Sequence, residues 1–158
     1  MPSPRKDIEM KSFDIYKCKL VKESTFEYNK KSMKDCADVM DLIVDLGFDL
    51  LPEEHLGMFC LNVKGEVIAF HEVSHGEIAA TNCHPREIFK RAILNNAAGI
   101  IVFHNHPSGD ATPSNEDILG TRRMLDAGQI LGIKVVDHLV VSEGKYCSLR
   151  VEGIIPSI

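Results

Sequence analysis

His104-Asn105-His106-Pro107-Ser108-Gly109-Asp110-Ala111-Thr112-Pro113-Ser114-Asn115-Glu116-Asp117 is the stretch on which the fold and the chemistry of this chain turn. Ahead of it, Ile100 to Phe103 is a short apolar run without alternation, the pattern of a strand buried on both faces. Such a strand delivers His104 to the end of a sheet. Side chains alternate along an extended chain, so His104 and His106 point the same way and can share one metal ion. Asp117, eleven residues after the second histidine, can be the third ligand. Three protein ligands leave one position for water, the catalytic arrangement for zinc, whereas four would be structural. The stretch therefore predicts a hydrolase built around an activated water. Two bland readings stand beside it: metal-free loop histidines, and a helix-capping box between Ser114 and Asp117.

Working outward, Ser114 opens a helix that carries Ile118, Leu119, Met124 and Leu125, and Gly128 or Gly132 stops it. Ile133 to Val141 reads as a strand, Glu143-Gly144 as a turn and Tyr146 to Val151 as the return strand. On the other side, Pro85 suits the first position of a helix with Ile88, Phe89, Ala92 and Ile93 on one face, closed between Asn95 and Gly99. Leu56 to Val63 and Val67 to Val73 read as a hairpin turning at Lys64-Gly65. Ser32 is the expected cap of a helix with Met33, Cys36, Ala37, Met40, Ile43 and Val44 at helical spacing, ended by Gly47. Phe13 to Thr25 alternates loosely and predicts one strand. The order β-α-β-β-α-β-α-β-β implies an α/β (α+β) domain, a mixed β-sheet flanked by helices. The expected division is an N-terminal extension over 1–31 with one strand, and a domain over 32–154.

A chain of 158 residues with 44% hydrophobic residues suits one packed domain. No apolar run reaches the roughly 18 residues of a membrane span. The start lacks the apolar core of a signal peptide, so the expected compartment is cytoplasmic. Five separated cysteines, Cys18, Cys36, Cys60, Cys83 and Cys147, contain no Cys-x-x-Cys pair and read as reduced thiols. Residues 1–34 hold nine Lys/Arg against five Asp/Glu, and the remainder nine against eighteen. The acidic body argues against a broad phosphate-binding face; the basic start leaves room for a weak DNA contact or merely a solvated lysine face.

Other His-x-His chemistries fit poorly. Ser108 and Gly109 stand where a metallo-β-lactamase-type site wants Asp and His, and an amidohydrolase barrel needs about 250 residues. The spacing His-x-His-x7-Ser-x2-Asp, filled by His104, His106, Ser114 and Asp117, resembles the JAMM motif of the MPN-type zinc metalloproteases. The wording around it is similar to the RadC-like JAB branch of that superfamily. So are Val67-Ile68-Ala69-Phe70-His71-Glu72, His84-Pro85-Arg86-Glu87-Ile88-Phe89 and Leu131-Gly132-Ile133-Lys134-Val135-Val136-Asp137-His138. The resemblance runs from about Ser32 to Gly153 and implies the JAMM/MPN (cytidine deaminase-like) architecture. It departs from the family in two ways: there is no room for an N-terminal helix-hairpin-helix region, and His75 and Cys83 stand where other residues are expected.

The resemblance implies one zinc ion held by His104, His106 and Asp117. It also asks for an upstream glutamate before the first core strand. Glu54, in Glu54-His55-Leu56-Gly57-Met58-Phe59, matches that context; Glu53 is one residue out of register, and Glu72 and Glu77 are weaker rivals. Glu54 would then take the water's proton and return it to the leaving amine. Ser114 would donate to the oxyanion or serve purely as a helix cap. Asp110 and Ser108 are expected to shape the loop through local bonds, and His71, His84 and His138 to be structural or surface residues. The implied activity is hydrolysis of peptide or isopeptide bonds in a protein or peptide substrate. The alternative is a DNA-repair or mobile-element interaction module with little catalysis, and a nuclease ranks third.

Overall fold

The computed structural model describes residues 11–29, 33, 35–76 and 84–156. Helix α1 spans Cys36–Asp45 and is followed by a short 3-10 turn, Phe48–Leu50. Strands β1 (His55–Leu61) and β2 (Val67–His75) form the hairpin, with Gly65 at a φ of 76° in its turn. Helix α2 (Pro85–Leu94) leads to β3 (Gly99–Asn105), then α3 (Asn115–Leu131), β4 (Lys134–Ser142) and β5 (Lys145–Ser148). Among the described residues the sheet runs β2-β1-β3-β4-β5. Only β3 and β4 pair in parallel, across α3; the other neighbours are antiparallel. This is the expected mixed sheet flanked by helices.

Period-two alternation sorts the strand residues onto two packed faces. Leu56, Met58, Cys60, Ile100 and Val102 join Ile88 and Phe89 of α2 and Met124 of α3 in one core. Phe59, Leu61, Ile101 and Phe103 join Val39, Met40 and Ile43 of α1 in the other. Every residue of β3 is buried, so this strand lies beneath helices on both sides. Phe48, Phe59, Phe70 and Phe103 form a ring cluster with centroids 5.3–6.2 Å apart. Each such pair adds about 0.5–1.5 kcal/mol beyond burial. The cluster needs Gly57: a Cβ there would sit 2.3 Å from Phe103 Cζ.

Three local expectations do not hold. Residues 11–28 form no helix or strand, so the strand over 13–25 is absent. Phe13, Ile15, Tyr16 and Val21 are at least 81% exposed, and the segment pairs with neither sheet edge. Loose alternation without a ladder partner or a face to bury does not make a strand. Ser32 lies outside the described residues, and α1 starts later: Asp35 is its N-cap, accepting the Asp38 N–H at 2.9 Å. Met33 instead donates its N–H to the Gly65 carbonyl of the hairpin at 3.1 Å. Finally, β5 stops at Ser148 rather than Val151. Buried Asp137 accepts the Arg150 N–H at 3.1 Å and the Ser148 hydroxyl at 2.6 Å, which curls the chain away from the ladder.

Candidate metal centre

β3 carries His104 fully buried on the face packed by α2 and α3. His106 follows the strand and donates its N–H to Val141 at 2.7 Å, extending the parallel ladder by one step. The chain then turns at Gly109, whose φ of 88° suits glycine. The turn is secured as expected: Asp110 N–H reaches Ser108 Oγ at 3.4 Å, and Thr112 N–H reaches Asp110 Oδ1 at 2.9 Å. It brings Ser114 to the start of α3. There Ser114 Oγ accepts the Asp117 N–H at 3.1 Å, and Asp117 Oδ2 accepts the Ser114 N–H at 2.8 Å. This capping box anchors a carboxylate that is only 2% exposed.

The two Nε2 atoms of His104 and His106 lie 3.0 Å apart. Asp117 Oδ1 is 3.2 Å from the first and Oδ2 is 3.5 Å from the second. Glu54 Oε1 is 3.8 Å from His106 Nε2, and Glu54, His104 and His106 each place a donor atom within 4.8 Å of the others. With zinc–ligand bonds of 2.0–2.2 Å, donors around a tetrahedral ion stand about 3.3 Å apart. The His–His–Asp set already has that spacing and fits such an ion. Glu54 meets the same histidines from farther away and is 24% exposed on its side chain against 2% for Asp117.

Hydrogen bonds decide which ring nitrogens are free. The Asp117 carbonyl can only accept, so the Thr121 hydroxyl donates to it at 2.7 Å. Thr121 Oγ1 therefore accepts from His138 Nδ1 at 2.6 Å. That leaves His138 Nε2 as the acceptor for His104 Nδ1–H at 2.8 Å, and His104 Nε2 as a bare lone pair. His106 reaches the same state more simply, donating Nδ1–H to the Asp110 carbonyl at 2.8 Å. Both imidazoles thus present Nε2 lone pairs to one point, as a metal ligand must.

The electrostatics agree. Burial pushes the Asp117 carboxyl up, but the facing His104 and His106 rings outweigh it and hold the group well below the usual carboxylate range. The Asp117 carboxylate, accepting a hydrogen bond from the protonated ring, raises the His106 pKa against the opposing effect of burial, with smaller help from Asp110 and Glu54. Burial first, and then the neighbouring His104, push His138 down to about 3, so it stays neutral in the chain of bonds.

The fold thus brings Glu54, His104, His106, Ser114 and Asp117 to one end of the sheet. Glu53 is exposed, Glu72 pairs instead with His55 at 2.7 Å, and Glu77 lies outside the described residues. His75 stacks on His55 away from this centre, and Cys83 is outside the described residues. His71 bonds Asn95, and His84 caps α2 by accepting the Arg86 N–H at 3.2 Å. His138 is the site residue that the sequence reading set aside as structural. A signal existed: an Asp-His pair inside the apolar run Ile133–Val141 must find buried partners. Thr121 carried another, being one helical turn beyond Asp117 and on the same face.

No helix among the described residues is long and apolar enough to cross a membrane. Comparison with known proteins matches residues 31–154 to the RadC-like JAB domain. A UPF0758 protein of Syntrophomonas wolfei is 40% identical over 129 residues, 80% of this chain and 55% of that protein. One from Caldanaerobacter subterraneus is 46% identical over 116 residues, 73% and 49% of the two chains. Another, from Bacillus cereus, is 40% identical over 144 residues, 91% and 62%. The chain spans about half the length of the first two of these relatives. With most of its length matched by the family, the chain belongs to the RadC-like JAB domain proteins.

Proposed function

We propose that this domain is a zinc-dependent hydrolase of peptide or isopeptide bonds, with His104, His106 and Asp117 as the metal ligands. The observation that carries the reading is the Nε2 pair 3.0 Å apart with Asp117 Oδ1 at 3.2 Å, already at the donor spacing of a tetrahedral site. Two imidazoles and one carboxylate leave a position open, which separates a catalytic from a structural centre. Zinc there supplies Lewis acidity and lowers the pKa of a water to about 7.

The chain's own groups do the rest. Glu54, partly exposed and 3.8 Å from His106 Nε2, takes a proton from the attacking water and gives it to the departing amine. Asp117 is held by the start of α3 and keeps its charge through the cycle. Ser114 Oγ uses a lone pair for the helix cap, which leaves its hydrogen free to meet a developing oxyanion. The partner on this reading is an extended peptide or an isopeptide-linked protein.

Glu54→Gln tests the assignment, because a fourth ligand and a proton carrier behave differently. The variant is expected to keep about one zinc per chain while turnover of a cleaved peptide falls about 10²–10⁴-fold. Loss of zinc would make Glu54 a ligand, and wild-type turnover would remove it from the chemistry.

A further inference from the structure

The middle residue of His104-Asn105-His106 is committed by alternation to the face opposite the two histidines. Asn105 is a carboxamide, yet only 1% exposed. Its Oδ1 accepts the His55 N–H at 2.6 Å. Its Nδ2 donates to the Glu53 carbonyl at 2.8 Å and to the Leu51 carbonyl at 3.2 Å. The partners settle the orientation of the amide: an N–H needs its oxygen and two carbonyls need its nitrogen.

Glu54 lies between the gripped groups. The Glu53 carbonyl belongs to the peptide before it, and the His55 N–H to the peptide after it. One side chain therefore holds both peptide planes that flank the Glu54 Cα. The Glu54 carbonyl itself accepts the Gly76 N–H at 2.8 Å, a third bond on the same two peptides. The clamp sits between the two histidines that carry the Nε2 pair, so the distance between Glu54 and the histidines is set by the short segment 104–106 at the end of β3.

We infer that Asn105 is a positioning residue for Glu54: its bidentate grip on the peptides either side of Glu54 fixes that carboxylate against the His104–His106 pair. The inference deepens the proposed function and rests on Glu54 as the proton carrier. A purely structural role would close the end of the β1–β3 ladder and nothing more.

Asn105→Asp separates the two roles. It conserves shape but carries at most one O–H donor, so it cannot hold both carbonyls. The zinc-loaded variant is expected to keep about one zinc per chain, since both imidazoles stay in place. Its crystal structure should show Glu54 withdrawn from the 3.8 Å approach to His106 Nε2. On internally quenched peptides, some containing a lysine isopeptide bond, kcat should fall about 100-fold at similar KM, the scale of a misplacement near 1 Å. Adding Asn105→Asp to Glu54→Gln should then change the residual rate little, because both act through one carboxylate. An unmoved Glu54, an unchanged kcat, or losses that multiply in the double variant would each overturn the inference. Should wild type cleave none of these peptides, the hydrolase reading falls while the position of Glu54 in the variant still decides the clamp. Asn105→Ser, smaller and uncharged, takes the same tests if the aspartate variant does not fold, and an unmoved Glu54 there is equally fatal.

Discussion

Replacing His138 with leucine should weaken metal binding without touching a ligand. His138 Nε2 accepts the His104 Nδ1–H at 2.8 Å, and His104 is fully buried, so no water can take over. A buried donor left without an acceptor costs about 1–3 kcal/mol. The ring can escape by moving its proton to Nε2, 3.2 Å from Asp117 Oδ1, but this hides the lone pair that a metal needs. Zinc binding must reverse that escape and restore the unpaired Nδ1–H, and about 1.4–2.8 kcal/mol corresponds to a 10–100-fold weaker Kd. Competition against a chromophoric chelator measures this directly. Nitrogen NMR of the metal-free protein should show His104 protonated at Nδ1 in wild type and shifted toward Nε2 in the variant. His138→Gln, whose carbonyl oxygen can accept from His104, should recover most of the affinity. Wild-type zinc affinity in His138→Leu would refute the account of how His104 is held.

Two further outcomes follow from the same geometry. A histidine with a raised folded pKa adds stability that is complete below its unfolded value and is lost as pH climbs through the folded value; a depressed carboxyl does the reverse. His106, raised, loses its contribution above 6.5, while His138, held down to about 3, increasingly opposes folding as pH drops below 6.5, so metal-free protein should melt highest near pH 6.5. Its Tm should then fall as pH passes above 6.5, whereas zinc-loaded protein should not show that fall; a metal-free Tm flat from about pH 6 to about pH 8 would contradict the His106–Asp117 coupling. Ser114→Ala should lower stability by about 1 kcal/mol through the lost cap while zinc content stays near one per chain, and an unchanged denaturation midpoint would mean the cap carries no weight.

Much of the site was legible because its signals are local. The alternation that aligns His104 with His106, and the capping spacing of Ser114 and Asp117, are properties of short segments. The unalternating run Ile100 to Phe103 told truly of a strand covered on both faces. Glu54 was harder, since its approach to His106 depends on β1 pairing with β3 in one register, Leu56 opposite His104. His138 was harder still: it lies beside His104 only because β3 and β4 align across the whole of α3, with Val102 opposite His138. The role of Asn105 needed the path of residues 51–55 around the sheet end, which no local pattern encodes. The segment 13–25 shows the converse limit, where apparent alternation has no neighbouring strand to use.

Metal content is the most direct test of the central claim. Elemental analysis of wild type and Asp117→Ala, both purified without chelator and then exposed to equal zinc, should find about one zinc per wild-type chain and little in the variant. A wild-type chain that stays metal-free even with zinc supplied would contradict the account and leave Ser114 and Asp117 as a helix cap alone.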